Sequence, residues 1–510
     1  ESPRPNLPVT SGNPLSVIRD DVKFQPAPFN GVDTFLSGDV HFDWWAGAST
    51  TSLISNNVDA HLDRSPADNI ADDPRYIQAD SNYSTSLDLT KTPTDSENQK
   101  SAQTNLFYWV NRFHDILYQF GFTESAGNFQ TNNFGLGGTG GDAIQADAQD
   151  GTGTNNANFS TPPDGRAGRV QMYLWSVGTS QLLDGDLDQS VILHELTHGL
   201  SNRLVGNGSG LTGNQSAGMG EGWSDYMALT LLARATDNVD SNYAVGQYAF
   251  NNYVRGIRRY PYSTSLAINP LTFGNIALNT EVHAVGEIWC MTLLEMRALL
   301  IKKYGFQEGQ RQSIQLVVDG LKLTPLGPTF IDARDAILLA DRLDNGGSNQ
   351  CLLWQAFAKR GLGLRATTLG ADDGAPVESF EAPPFCSDTG TLTIDKTSYL
   401  GGEMIHLYVG DKNAGTSVTV KVSSSVTGDQ EVVTLSQEPQ IPGSFKGQIL
   451  IGGGRANPGD GVIQGSVTAG DMINVAYLDT ATVAGTSSTI TSSARLTLEK
   501  VLLFDDVEAG

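Results

Sequence analysis

The sequence predicts an α+β protein in which a mixed strand-and-helix part is followed by a separate antiparallel β-sandwich module. Between residues 187 and about 364 the chain reads mainly helical, with apolar residues recurring at three and four. After Cys386 the texture changes to Thr/Ser/Val-rich alternation in seven short runs separated by Gly, Asp and Asn turns, the pattern of an antiparallel sandwich. A chain of 510 residues is also too long for one ordinary core. Three segments are expected: 1–200 with strands, Gly-rich loops and a first functional helix, 201–386 mainly helical, and 387–510 as the β-module.

Taken in order, residues 1–50 are rich in Pro, Asn, Asp and Gly with short apolar patches such as "HFDWWAG", and read as irregular or strand-and-loop structure. The opening "ESPRPNLPVT" has no initiator Met, basic run or apolar run, which predicts a processed start. Residues 101–122 predict a helix on the stripe Leu106, Trp109, Val110, Phe113 and Leu117, with Gly121 as its stop. The Gly/Asn/Asp-dense stretch 127–165 supplies turns and has the composition of a loop-rich binding rim. "RVQMYLW" (169–175) is a strand candidate leading to the helix that contains "VILHELTHGLSNRLV". Further helices are predicted at 221–235, 283–305, 330–343 and 351–363. The last run, "VLLFDDVEAG", is surplus to the β-module and reads as the start of a further domain; no repeat of 20–50 residues is present.

Lys plus Arg is 32 against 56 Asp plus Glu, a net charge of −24, and such a surface repels nucleic acid and anionic membranes. No apolar run approaches the roughly 18 to 20 residues that span a bilayer, so neither partner is expected and the chain is read as a soluble monomer. Of three cysteines, Cys351 and Cys386 can close one loop, and Cys290 in "GEIWCMTLLEM" reads as a small buried thiol. Few Cys, little Lys and many Gly, Ser, Thr and Asn point to a secreted protein.

The helix at 191–205 carries the chemistry. Four residues of α-helix advance about 400°, so His194 and His198 project from one face one turn apart, within reach of one metal ion. Glu195 lies about 100° around, beside the metal, where a general base belongs. Neutral imidazoles favour zinc, and a catalytic zinc takes three protein ligands and leaves a position for water. The nearest downstream carboxylate on a helical face is Glu221 in "GMGEGWSDY"; the Gly/Asn/Ser-rich stretch before it lets the chain turn back and pack a second helix on the first. Asp225, one turn after Glu221, can hold an imidazole N–H and so set its tautomer. His283, heading the next helix, is either structural or a donor to an oxyanion, and Arg258 either binds a substrate carbonyl or is an ion-pair partner. Asp184, Asp186 and Asp188 alternate just ahead of the helix and offer either a calcium site or helix caps. Histidine ligands must be neutral, so activity should fall in acid as metal is lost.

Together "HELTHGLSNRL", "GMGEGWSDY", "NLFYWVNRFHD", "AQDGTGTNNANFSTPPDGR" with "MYLW", and "FAKRGLG" resemble the fungalysins, secreted zinc metalloendopeptidases distantly similar to thermolysin, over roughly residues 30–386. The resemblance implies a two-lobed, thermolysin-like zincin domain with zinc in the cleft, His194, His198 and Glu221 as ligands, and Glu195 as base and then acid toward protein or peptide substrates. By the same similarity Asn156 and Ala157 form the edge that pairs with substrate backbone, and His283 donates to the oxyanion. Two features depart from the family: no inhibitory propeptide is recognisable before residue 30, as in a mature form, and no tyrosine stands in 199–220 to serve as a second oxyanion donor. The module after 387 lies outside the fungal core pattern and resembles appended immunoglobulin-like modules of bacterial secreted enzymes. Two rival readings stand beside this one: a zinc aminopeptidase, for which the chain lacks a Gly-x-Met-Glu-Asn-type motif to hold the free amine, and an adhesion protein with an inert peptidase lobe, against which the intact ligands and base argue.

Overall fold

Strong local signals and tertiary demands divide the secondary structure between them. The computed structural model describes residues 51–497 apart from 67–72, 80–82, 177–181, 279–280, 387–388, 440–442, 468–469 and 483–485. It also describes two short paired strands, β1 (Ser2–Pro3) and β2 (Arg19–Asp20). "HFDWWAG", the processed start and the surplus run 501–510 lie outside the described residues. The chain divides into two compact units, Glu1–Glu381 and Ala382–Gly510.

In the first unit β3 (Val58–Leu62), β4 (Ile144–Ala148), β5 (Ala157–Ser160) and β6 (Arg169–Met172) form a four-stranded sheet in the order β3-β4-β6-β5. The first three strands of that order run parallel, and β5 closes one edge antiparallel to β6. Helix α1 (Ser96–Gln119) starts where the Asp95 side chain accepts from Glu97 N, and stops before Gly121, whose φ of +91° suits glycine. Its Leu106, Val110, Phe113 and Leu117 are buried as the stripe predicts, and Trp109 is half-buried. "RVQMYLW" divides at Tyr173: β7 (Leu174–Trp175) leaves the main sheet and pairs with β8 (Leu183–Asp184).

The helices follow as α2 (Gln189–Leu204), α3 (Asn214–Leu231), α4 (Val282–Tyr304), α5 (Phe306–Leu323), α6 (Phe330–Asn345) and α7 (Gln350–Lys359). Helix α3 begins seven residues before the predicted 221, so "NQSAGMG", which reads in sequence as part of a flexible return, is helical. The physical reason is close packing. A Cβ on Gly222 would stand 2.6 Å from Gly286 O and 2.7 Å from Trp289 Cβ; one on Gly286 would stand 2.5 Å from Glu221 Cβ and 2.7 Å from Gly218 O. Glycine costs a helix about 1 kcal/mol relative to alanine, but here it lets α3 and α4 approach and bury Trp223 edge-to-face on Trp289, ring centroids 5.8 Å apart. Gly286→Ala is therefore expected to destabilise the protein by about 1–3 kcal/mol and, by pressing on Glu221, to weaken metal retention. Urea unfolding and chelator competition measure the two effects, and an unchanged unfolding free energy would refute the packing argument.

Cys351 and Cys386 are disulfide-bonded and Cys290 is a buried free thiol, as expected. Among the described residues no helix is long and apolar enough to cross a membrane.

The second unit contains β9 (Thr391–Ile394), β10 (Ser398–Tyr399), β11 (Met404–Gly410), β12 (Ser417–Ser424), β13 (Gln430–Gln437), β14 (Ser444–Gly452), β15 (Val462–Gln464), β16 (Met472–Asp479) and β17 (Ser488–Leu496). Alternate residues point inward: Ile405, Leu407 and Val409 on β11, Val418, Val420 and Val422 on β12, and Ile473, Val475 and Tyr477 on β16 share one core. Pairing is antiparallel except for the short β10–β17 and β14–β15 pairs. The strands join in one hydrogen-bonded path, β10-β17-β16-β12-β13-β14-β11-β9, with β15 beside β14. That path turns back so that β9 lies against β17. The unit is thus a single curled sheet, where the sequence predicts the two facing sheets of an immunoglobulin-like sandwich. Period-two burial reads the same in both cases, and only pairing separates them.

Candidate metal centre

Helix α2 is anchored at its start by Asp188, whose carboxylate accepts from Ser190 N at 3.1 Å and from Tyr248 N and Ala249 N at 3.0 and 3.1 Å. From that start the helix places His194 and His198 on one face, their Nε2 atoms 3.2 Å apart. Helix α3 supplies Glu221, with Oε2 3.1 Å from His194 Nε2 and Oε1 3.5 Å from His198 Nε2. The ligand atoms of these three residues all lie within 4.8 Å of one another. Glu221 Oε2 is buried and makes no hydrogen bond among the described residues. Two ring nitrogens facing each other and an unsatisfied carboxylate oxygen form a donor set that fits a cation, and two imidazoles with one carboxylate suit zinc.

Behind the set, Asp225 accepts from His194 Nδ1 at 2.7 Å, from Arg258 Nε and Nη2 at 2.6 and 2.8 Å, and from the Tyr262 hydroxyl. Because a carboxylate can only accept, the hydrogen of His194 sits on Nδ1 and its Nε2 lone pair faces Glu221 and His198. Burial disfavours the Asp225 anion, but Arg258 and His194 outweigh it and hold its carboxyl well below the usual range. Glu221 is likewise held low against burial by His198 and His194. Burial opposes charge on His194, yet Asp225 and Glu221 raise it to about 10, while burial lowers His198 to about 4.

A cavity of about 340 Å³ opens on these residues. Glu195, 6% exposed, lines it, and its carboxyl is pushed up to about 7 by burial, with His194 opposing and Glu221 adding to the rise. Asn156 and Ala157 line it from the start of edge strand β5. His283 lines it from the head of α4, half-exposed, with Nε2 3.4 Å from Glu221 Oε2 and Nδ1 paired with Glu281. Arg258 reaches the cavity wall, but its guanidinium is spent on Asp225 and stands 4.0 Å from Glu221 Oε2, so the ion-pair reading describes its contacts.

Asp184, Asp186 and Asp188 do not form a converged ligand cluster among the described residues. Asp184 accepts from Asp186 N and Asp188 from Ser190 N, so the capping reading accounts for these two. Sequence reasoning misses two contributors. Tyr262 sits in "RRYPYS", where no periodicity marks it, and binds Asp225 only through the fold. Glu281 is legible in principle: an acidic residue directly ahead of the helix at His283 is an N-cap signal, and its carboxylate accepts from His283 N and Ala284 N.

A family model described as fungalysin metallopeptidase (M36) matches residues 24–366. The chain is 42% identical over 343 residues to "Extracellular metalloproteinase MEP" of Fusarium vanettenii, covering 64% of this chain and 54% of the relative. It is 44% identical over 344 residues to the protein of the same name from Pyricularia oryzae, with the same coverage. "Extracellular metalloproteinase 10" of Coccidioides posadasii is 40% identical over 366 residues, 69% of this chain and 56% of the relative. The chain thus spans about half the length of the curated relatives it matches.

Proposed function

Because the chain belongs to the fungalysin metallopeptidase family, we propose that it is a secreted zinc-dependent endopeptidase that hydrolyses internal peptide bonds of proteins. The observation that carries this reading is the convergence of His194, His198 and Glu221 on one point, with Asp225 behind them and Glu195 on the wall of the same cavity. The extracellular naming of its relatives supports secretion. The catalytic part is read as two thermolysin-like lobes, 1–200 and 201–386.

His194, His198 and Glu221 would hold the zinc, which when bound supplies a Lewis acid and lowers the pKa of water. Glu195 then takes the proton of the attacking water and returns it to the leaving amine, a task suited to a carboxylate raised to about 7 by burial. His283 donates to the oxyanion; since Glu281 pairs with its Nδ1, donation from Nε2 requires the doubly protonated ring. One such donor is worth about 3–4 kcal/mol in mutant kinetics. Arg258 holds Asp225 in place behind His194. Asn156 and Ala157 offer the free backbone edge of β5 to an extended substrate, which joins as an added strand.

The deciding experiment is casein hydrolysis with and without chelator. Activity is expected to vanish on metal removal and to return with Zn²⁺ alone; proteolysis indifferent to chelator would overturn the proposal. Cleavage of an N-terminally blocked protein is expected as well, and failure there would favour an aminopeptidase.

A further inference from the structure

A second group of ligand-type side chains lies in the four-stranded sheet, on elements other than α2 and α3. The parallel register of β3 and β4 sets His61 directly opposite Asp147, and the residues just after these strands add Asp63 and Asp150. Asp63, Asp147 and Asp150 are fully buried and bring carboxylate oxygens within 4.8 Å of one another. Asp73, also buried, places Oδ2 3.8 Å from His61 Nε2.

Charge does not balance among these groups. Arg169 pairs through Nε with Asp147 Oδ2, and its Nη2 lies 3.2 Å from Asp63 Oδ2 and 3.8 Å from Asp150 Oδ2. Arg75 is engaged by Asp59 at 2.8 Å. Among the described residues, five carboxylates, Asp59, Asp63, Asp73, Asp147 and Asp150, thus face two guanidinium groups, Arg75 and Arg169, and one imidazole.

His61 makes the deficit specific. Its Nδ1 is 3.1 Å from the Asp59 carbonyl oxygen, which can only accept, so the hydrogen of the neutral ring sits there and the Nε2 lone pair faces the acids. Nε2 is 2.8 Å from Asp147 Oδ1, within ion-pair distance, yet among the described residues neither atom makes an aligned hydrogen bond, and Asp73 Oδ2 makes none either. Buried polar atoms are rarely left this way. The catalytic set carries the same mark in Glu221 Oε2.

We propose that His61, Asp73 and Asp147, with Asp63 beside them, bind a second divalent cation, of the zinc class, at a structural site inside the sheet. An imidazole nitrogen among carboxylates selects a borderline transition metal over calcium or magnesium, which prefer all-oxygen sets. Such an ion would tie β3, β4 and the segment at Asp73 together, in the sheet whose far edge borders the catalytic cavity.

The test uses the full chain, stripped with chelator, reloaded with Zn²⁺, dialysed and analysed for metal. Wild type is expected to keep about two zinc ions per chain, His194→Ala/His198→Ala about one, and that variant with His61→Asn none, since site-bound zinc is lost with its ligands. Circular dichroism verifies folding, and if the triple variant fails to fold, Asp73→Asn in the same background serves, with zinc affinity expected to fall at least tenfold. A folded His194→Ala/His198→Ala protein that keeps no zinc would overturn the sheet site, and one that retains Ca²⁺ in preference to Zn²⁺ would overturn the role of the imidazole. Because that variant lacks the catalytic ligands, failure of the catalytic reading leaves this result unchanged.

Discussion

Glu195→Gln is expected to keep its metal and to lose about 10²- to 10⁴-fold in kcat on a protein substrate, the usual contribution of a positioned general base. Glutamine matches the size of glutamate but cannot accept a proton at neutral pH. Glu195 stands outside the converged set of His194, His198 and Glu221, so the metal content should match that of wild type. Both halves of the result matter. A variant that retains full proteolysis would remove Glu195 from the mechanism, and one that loses zinc would make it a ligand.

The second large effect belongs to Asp225→Ala. This carboxylate accepts from His194, Arg258 and Tyr262 at once, and is 1% exposed. Its removal leaves the buried Arg258 guanidinium without its hydrogen-bonded carboxylate among the described residues, Glu221 Oε2 standing 4.0 Å away. Breaking a buried ion pair in this way typically costs about 3–5 kcal/mol. Loss of the acceptor also frees the His194 ring, for which about 10- to 100-fold in metal affinity is usual. Asp225→Asn, which keeps one acceptor oxygen, should fall between wild type and alanine. Urea unfolding with chelator competition reads both effects; zinc affinity unchanged in a folded Asp225→Ala protein would mean that the carboxylate does not orient the imidazole.

Legibility in the sequence follows from how local each signal is. The histidine pair on α2 needs only helical period, and Asp225 needs only one further turn after Glu221, so spacing alone suffices to place both. The stripe on α1 and the glycine at 121 are equally local, and both hold. The start of α3 is not legible, because "GNQSAGMG" has the composition of a loop. Its Gly218 is required by a neighbour more than 60 residues away, Val285, whose Cγ1 would stand 2.3 Å from an added Cβ. The parallel sheet escapes for a related reason: β3 and β4 are five residues each and pair across a gap of more than 80. Tyr262 reaches Asp225 by tertiary packing alone. In the second unit alternation reveals the strands, while the closure of the path on itself depends on register, which alternation does not encode.

On the endopeptidase reading proposed above, the position of β5 at the margin of its sheet, with Ala157 on the cavity wall, has a consequence for what can be cut. A polypeptide laid along that margin must be drawn out straight over several residues, which neither a helix nor a tight turn permits. Local fraying of the target would then set the rate at which intact proteins are degraded, and well-packed neighbours would survive beside loosely folded ones.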